Sequence, residues 1–427
     1  MKYLYITLLS VFSVFYGKAQ IDFSNISMEN KIYNEDILSA KIEKTDISFA
    51  LPVIQLGAQN ALTLRFDDKS DAPKYYHYTL IHCTYDWQPT SNLQRNEYLG
   101  SFEDMDISDY QTSINTRQFY ISYSITFPNE NIYPTKSGNY IIYVYDDDEN
   151  PVLTYRFYVV ENLVDVSAAV KETDNISLRL THQQLQVNIN TANFKVLNPG
   201  RFLKVKTCQN NREDNAVVVS TPHRVSGNSL IFDQSDQILF EGGAEFNTFN
   251  IRTLKTRMEH VEKHIVVAGI NYTWLYADKT RAFLPYLDDN DINGCYFVTS
   301  DDASDSLYGA DYTEVHFFLD APNLPSDVDI FVYGELSNWN LDKSNKMVYN
   351  SHRHMLEAIL YLKTGYYNYT YIAQQKNTDK GTFMYTEGNH WETGNRYNTF
   401  VYYQGDNLDY DRIIGYCEVI SDRTIRK

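Results

Sequence analysis

Tyr140-Ile141-Ile142-Tyr143-Val144-Tyr145, then Asp146-Asp147-Asp148-Glu149-Asn150-Pro151, then Leu153-Thr154-Tyr155-Arg156-Phe157-Tyr158-Val159: two apolar runs joined by an acidic turn. In the first run Tyr140, Ile142 and Val144 alternate with Ile141, Tyr143 and Tyr145, the period of a strand whose side chains point to opposite faces. Asp, Asn and Pro between the runs favour a tight reversal, so the segment predicts a hairpin that closes a sandwich near residue 162. The same texture extends in both directions. Tyr76, Tyr78, Leu80 and His82 alternate with His77, Thr79, Ile81 and Cys83, and turn signals recur at Asn198-Pro199-Gly200, Gly242-Gly243 and Asn293-Gly294. Leu254, Met258, Val261 and Ile265 also fit a helical period, yet no pair of caps brackets them and their neighbours are β, so an irregular strand is expected. A further unit opens at Asp311 with Val315, Phe317 and Leu319 on one face. Tyr 37 and Phe 22 make up most of a 15% aromatic content, which suits strands better than helices. The expected architecture is all-β: three consecutive immunoglobulin-like β-sandwich domains over 20–162, 163–310 and 311–427.

Residues 1–19 read as a secretory signal peptide. Lys2 precedes an uncharged run from Tyr3 to Tyr16, too short to span a bilayer, and Gly17 and Ala19 supply small residues for cleavage before Gln20. The first cysteine, Cys83, lies too far downstream to carry a lipid anchor. The formal net charge of −18 falls to −20 once the two lysines of that leader are removed. Such a surface repels nucleic acid and anionic headgroups, so neither nucleic-acid binding nor direct membrane insertion is expected. The expected location is the periplasm. Cys83, Cys208, Cys295 and Cys417 leave free thiols or any of three disulfide pairings open, although a core of this size needs no disulfide.

Candidate chemistry is sparse. Asp289, Asp291 and Asn293 with Gly294 match the opening of a calcium loop, but the twelfth position is Ser300 where a bidentate Glu belongs, and a hydrogen-bonded turn is the better reading. His260 and His264 could share a metal only on a helix, and His352 and His354 alternate beside Arg353. No nucleophile elbow or phosphate loop is present, and acidic pairs are too frequent to nominate a glycosidase dyad. No catalytic, cofactor-binding or metal-ligating residue is assigned, no cofactor is implied, and the chain is not expected to be an enzyme.

Two sets of residues resemble known families. In the last third, Val315-His316-Phe317-Phe318-Leu319, the run Asp329 to Trp339 and Lys363-Thr364-Gly365-Tyr366-Tyr367-Asn368-Tyr369 resemble early-set immunoglobulin-like domains related to glycogen-binding modules. Gly334 would permit the bend after which Trp339 packs back over the sandwich end, with Leu336 standing where Phe is usual. In the first third, His82-Cys83-Thr84-Tyr85-Asp86-Trp87, Asn96-Glu97-Tyr98-Leu99, Ser113-Ile114-Asn115-Thr116 and Ser137-Gly138-Asn139-Tyr140 resemble the amino-terminal domain of the type IX secretion system plug proteins of Bacteroidota. Cys208-Gln209-Asn210-Asn211-Arg212, Gly243-Ala244-Glu245-Phe246-Asn247, Asp291-Ile292-Asn293-Gly294 and Tyr410-Asp411-Arg412-Ile413-Ile414-Gly415 extend the likeness through the chain, with Ala244 and Asn247 departing from the usual Asn and Arg. The resemblance implies a periplasmic plug, the monomeric subunit of a hetero-complex, that seals the periplasmic mouth of the large outer-membrane β-barrel translocon. The rival expectation is a carbohydrate-binding protein, with Trp339 and Trp391 as candidate platform residues.

Overall fold

The computed structural model describes residues 26–376, 378, 380–405 and 409–421. The signal-peptide reading of residues 1–19 lies outside them. Strands account for 47% and helices for 3% of the protein, an all-β, multi-domain sandwich fold. No helix among the described residues is long and apolar enough to cross a membrane.

The hairpin forms where the alternation places it. Gly138–Asp146 pairs antiparallel with Pro151–Val160, Tyr140 opposite Phe157 and Ile142 opposite Tyr155. Asp146 fixes the turn by accepting the backbone N–H groups of Asp148 (3.0 Å) and Asn150 (2.9 Å) on Oδ1. With Tyr76–Cys83 and shorter strands these form one sheet of the first sandwich; Ile37–Lys44, Leu62–Asp68, Ile121–Phe127 and Asp109–Thr112 form the other. Tyr140, Ile142, Val144 and Phe157 meet Leu62, Leu64, Phe66, Ile121 and Phe127 in the core between the two sheets.

The opposite face of the same hairpin is also buried. Ile141, Tyr143, Tyr145 and Tyr158 pack against Phe400, Tyr402 and Ile413, and the Tyr158 and Phe400 rings stack at 4.3 Å. Those covering residues belong to Arg396–Tyr403 and Arg412–Ile420, the last two strands of the chain. They pair with Leu203–Gln209 and Val217–Val219 in one sheet of the second sandwich. Its other sheet contains Asp165–Glu172, His182–Asn190, Leu239–Glu241, Ser229–Phe232 and Arg224–Ser226, and the core between them is built from Leu185, Val187, Ile189, Val205, Phe232 and Val401.

Strand pairing therefore groups the residues differently from sequence divisions at 163 and 311. The third sandwich runs from Asn247–Asn250 to Gly381–Thr382 and sits as an insertion between Leu239–Glu241 and Arg396–Tyr403 of the second. One sheet holds strands from both sides of residue 311, because Ile270–Leu275 lies parallel to Tyr312–Asp320 with Tyr272 opposite Glu314. A parallel pairing and a returning pair of terminal strands are long-range choices that local alternation does not encode. The stretch with helical period resolves into bends and turns up to His260, followed by the strand Val261–Val267.

A fragment cut at residues 163 and 310 lacks both terminal strands and should fail to fold, whereas 163–242 joined by a short linker to 395–421 should give a cooperative unfolding transition. Circular dichroism during urea titration distinguishes them; equal cooperativity would contradict the nested topology.

Candidate functional site: the junctions of the three sandwiches

The residues that carry the family likeness converge on the places where the sandwiches join. Asp411, between the last two strands, accepts the Tyr85 N–H on Oδ2 at 3.0 Å, and the Lys204 ammonium lies 4.0 Å over the Tyr85 ring. Next to it, Arg412 makes a two-pronged bond to Glu161 (Nε–Oε1 3.1 Å, Nη2–Oε2 2.6 Å), and Glu161 also takes the Ser137 hydroxyl at 2.6 Å. Tyr402 donates to Asn139 Oδ1 at 2.8 Å. Gly138 has φ +149°, and a Cβ there would lie 2.4 Å from His82 Nε2, so only glycine lets the chain pass this imidazole. Burial pushes the His82 ring down to about 4; its Nδ1 lies 2.7 Å from the Thr90 hydroxyl.

The Cys208–Arg212 segment joins the second sandwich to the third. Asn210 and Asn211 take left-handed backbone angles (φ 52° and 62°), a conformation Asn tolerates, and turn Arg212 across the junction. Its guanidinium sits 4.9 Å from the Tyr333 ring, 5.2 Å from Phe383 and 6.0 Å from Trp339, and bonds Asp214 at 3.0 and 2.7 Å. Burial opposes the charge, but Asp214 and Tyr333 together outweigh it and the pKa of Arg212 is raised. Trp339 thus packs over the sandwich end, edge-on to Tyr333 (5.3 Å) and Phe246 (6.0 Å).

The calcium-like positions are part of the same packing. Asp291 accepts the Phe246 N–H (2.6 Å) and the Asn293 N–H (3.0 Å), and Asp289 accepts that of Asn290 (2.8 Å). Gly294 has φ +78°, and a Cβ there would press within 2.3 Å of Trp339. No group of three His, Cys, Asp or Glu side chains placed to hold a metal occurs among the described residues. His260 and His264 serve different partners, Asp278 (3.3 Å) and the Thr273 hydroxyl (2.9 Å). The backbone N–H of Trp391 donates to Leu180 O at 3.1 Å. The four cysteines are free thiols, and burial pushes Cys83 and Cys417 up to about 12, far from the thiolate a nucleophile needs.

Ion pairs that sequence reading missed complete the joints. Lys363 of the third sandwich meets Asp67 of the first at 2.6 Å, both buried; the Tyr312 hydroxyl donates to the same carboxylate at 2.6 Å and the ammonium lies 4.0 Å from the Tyr120 ring. Burial lowers the Lys363 pKa against the pull of Asp67. Lys41 spans from the first sandwich to Glu335 (3.0 Å), donates to the Tyr296 carbonyl and lies 4.2 Å over that ring. Where all three sandwiches meet, a cleft of about 410 Å³ is lined by Asp86, Trp87, Glu213, Tyr296, Glu335 and Trp339. Burial would raise the Glu213 carboxyl, but the Lys206 ammonium at 2.5 Å, the charge of Arg156 and the Tyr158 hydroxyl hold it at about 2. The sequence offers one signal for these pairs, a charged residue closing an apolar run at Lys363, whereas Asp67 stands among Arg65, Asp68 and Lys69 and carries none.

The residues of the family likeness rivet a body of β-sandwiches at its joints. Residues 23–161 match the family model described as "Type 9 secretion system plug protein 1st domain". The chain is similar to a hypothetical protein from Parabacteroides merdae known from a crystal structure, at 32% identity over 92% of this chain and 99% of that one, with a TM-score of 0.88. The first sandwich thus carries the first domain of the type 9 secretion plug proteins, a structural family without catalytic function, and this match supports that family for the chain and suggests a periplasmic protein. A biofilm-associated protein BSP domain (8% identity, 91% of this chain and 60% of that one, TM-score 0.17) and a Bacteroides ovatus mixed-linkage glucan SGBP-B (12%, 78% and 73%, TM-score 0.12) share too little geometry to carry an argument. No curated protein matches.

Removing the Lys363 ammonium as Lys363→Ala should destabilise the protein by about 3–5 kcal/mol, because Asp67 is left buried and uncompensated, while Asp67→Asn/Lys363→Met recovers most of the loss. Urea midpoints measure both. A pH series tests the depressed groups. His82 is neutral in the fold down to about 4 and ordinarily titrates near 6.5, so its contribution is complete above 6.5 and is lost as pH falls towards 4. Glu213 contributes fully above its ordinary 4.5 and loses that contribution as pH falls towards 2. His82→Asn should flatten the upper part of the stability profile and Glu213→Gln the lower; an unchanged slope in either window would refute that assignment.

Proposed function

We propose that this protein binds the periplasmic opening of the outer-membrane type IX translocon barrel and closes it while the pore is not engaged. The observation that carries the reading is mechanical. One hairpin is buried on both faces, and charged joints tie the first sandwich to the third, so the family fold is assembled as a single body. A lid must resist deformation across a wide opening. A compact chain of this length has a radius of gyration of at least about 22 Å, a body on the scale of a large barrel lumen. Sealing by surface complementarity needs no covalent chemistry, in keeping with the buried ion pairs at the joints. The chain acts as one copy within a hetero-complex, docking through preformed loops at the sandwich ends.

Two measurements test the reading. The protein, isolated from detergent-solubilised outer membrane, should carry the barrel with it in mass spectrometry. Deleting it together with the barrel's other closing partner should raise uptake of a large antibiotic that the outer membrane normally excludes. A double deletion no leakier than loss of that partner alone would remove the plug function.

A further inference from the structure

The strands Val261–Val267 and Ile270–Leu275 end in a solvent-exposed hairpin tip. Ile265, Val266, Val267 and Ile270 expose 42, 49, 51 and 44% of their surface, and Ala268 and Gly269 between them are exposed as well. Six consecutive residues are therefore apolar or glycine and open to solvent. Val266 points opposite to Ile265 and Val267, so both faces of the tip are apolar. The turn is stiff: Val267 pairs with Ile270, and Ala268 and Gly269 both have positive φ (50° and 86°), the primed two-residue turn that matches strand twist.

The hairpin is pinned one residue behind its tip. Asn271 is buried and donates to Asp311 Oδ2 (3.1 Å) and the Tyr312 carbonyl (2.9 Å). The same Asp311 accepts the N–H groups of Arg117 (2.9 Å) and Gln118 (3.1 Å), which draws a loop of the first sandwich to the hairpin. That loop carries Ile114 and Phe119, both exposed, and the exposed Arg117. Behind the tip come Tyr272 and Trp274, half-buried with rings stacked at 5.9 Å, and then Lys263, whose ammonium lies 4.4 Å over the Trp274 ring.

The order along the hairpin is apolar tip, aromatic band, cation. That sequence of chemistries is the one a bilayer surface presents in reverse, with acyl chains innermost, the interface that Trp and Tyr prefer next, and phosphates outside. A protein groove covers one face of a strand, whereas a tip apolar on both faces is satisfied by immersion. From turn to Tyr272 the hairpin spans roughly 10 Å at ~3.3 Å per residue, comparable to the depth of interfacial anchors.

We propose that the 265–270 hairpin, assisted by Ile114 and Phe119, inserts into an anionic phospholipid surface and gives the protein a lipid contact of its own. This departs from the expectation that an acidic chain avoids direct membrane insertion, and it goes beyond the plug reading. The acidic remainder of the surface opposes adhesion, so affinity comes from the apolar tip, with Lys263 and Arg117 meeting headgroups.

The experiment uses the whole mature chain and vesicles of phosphatidylethanolamine and phosphatidylglycerol, without the barrel, so its outcome is independent of plugging. The protein should float with the vesicles. Val267→Asp/Ile270→Asp should reduce the bound fraction by about tenfold or more at an unchanged urea midpoint. A tryptophan placed at the tip by Val267→Trp should show blue-shifted emission when vesicles are added. Absence of flotation, or flotation undiminished in the double variant, overturns the proposal. So does a tip variant that loses the barrel while the parent protein ignores vesicles, since the tip would then be a protein contact.

Discussion

The stack of Tyr158 on Phe400 marks the constraint on which the rest depends: the sheet containing Gly138–Asp146 and Pro151–Val160 has no solvent face. An antiparallel sheet in a two-layer sandwich ordinarily turns one side to water. Here Ile141, Tyr143 and Tyr145 need cover that the first sandwich cannot supply, and the second sandwich supplies it with Phe400, Tyr402 and Ile413. Burial of several aromatic rings at about 25 cal/mol per Å² makes separation of the two units costly. The first and second sandwiches are therefore four layers of sheet in a row, not two bodies on a tether.

Hydrophobic cover alone is not directional, and the polar joints supply direction. A buried ion pair such as Asp67–Lys363 adds little net stability over an apolar substitute, because desolvation offsets attraction, but it penalises every misalignment that separates the partners. The same holds for Arg212 among Tyr333, Trp339 and Phe383, for Lys41 at Glu335, and for the two-pronged Arg412–Glu161 bond. Each fixes one angle between units. Their joint effect is orientation, which a protein acting by shape requires.

Legibility followed the range of the interactions. The β class, the hairpin at 140–159 and the packing role of Trp339 were readable because alternation, turn chemistry and a glycine bend are local. The motifs beginning at His82, Cys208 and Tyr410 were readable as a family likeness without revealing their task, since Tyr85 meets Asp411 across 326 positions of chain. The strand pairing across residue 311 was not readable for the same reason: the parallel match of Tyr272 with Glu314 leaves no mark in either strand. Asp67 and Lys363 each look like one charge among many until the fold puts them 2.6 Å apart. The exposed tip at 265–270 was hidden because an apolar run reads as core, and only coordinates show that it faces solvent.

The nested order of the sandwiches sets a timetable for the chain as it emerges. The third sandwich has all its strands between residues 247 and 382 and can form while the second still lacks half of one sheet. The hairpin of the first meanwhile presents Ile141, Tyr143 and Tyr145 to solvent until residues 396–420 arrive. A polypeptide delivered amino terminus first thus carries an uncovered aromatic surface through most of its delivery, the condition under which aggregation competes with folding. Closure of this long loop by residues 396–420 completes two cores in one event, so the covering of the hairpin and the closing of the second sandwich depend on the same two strands.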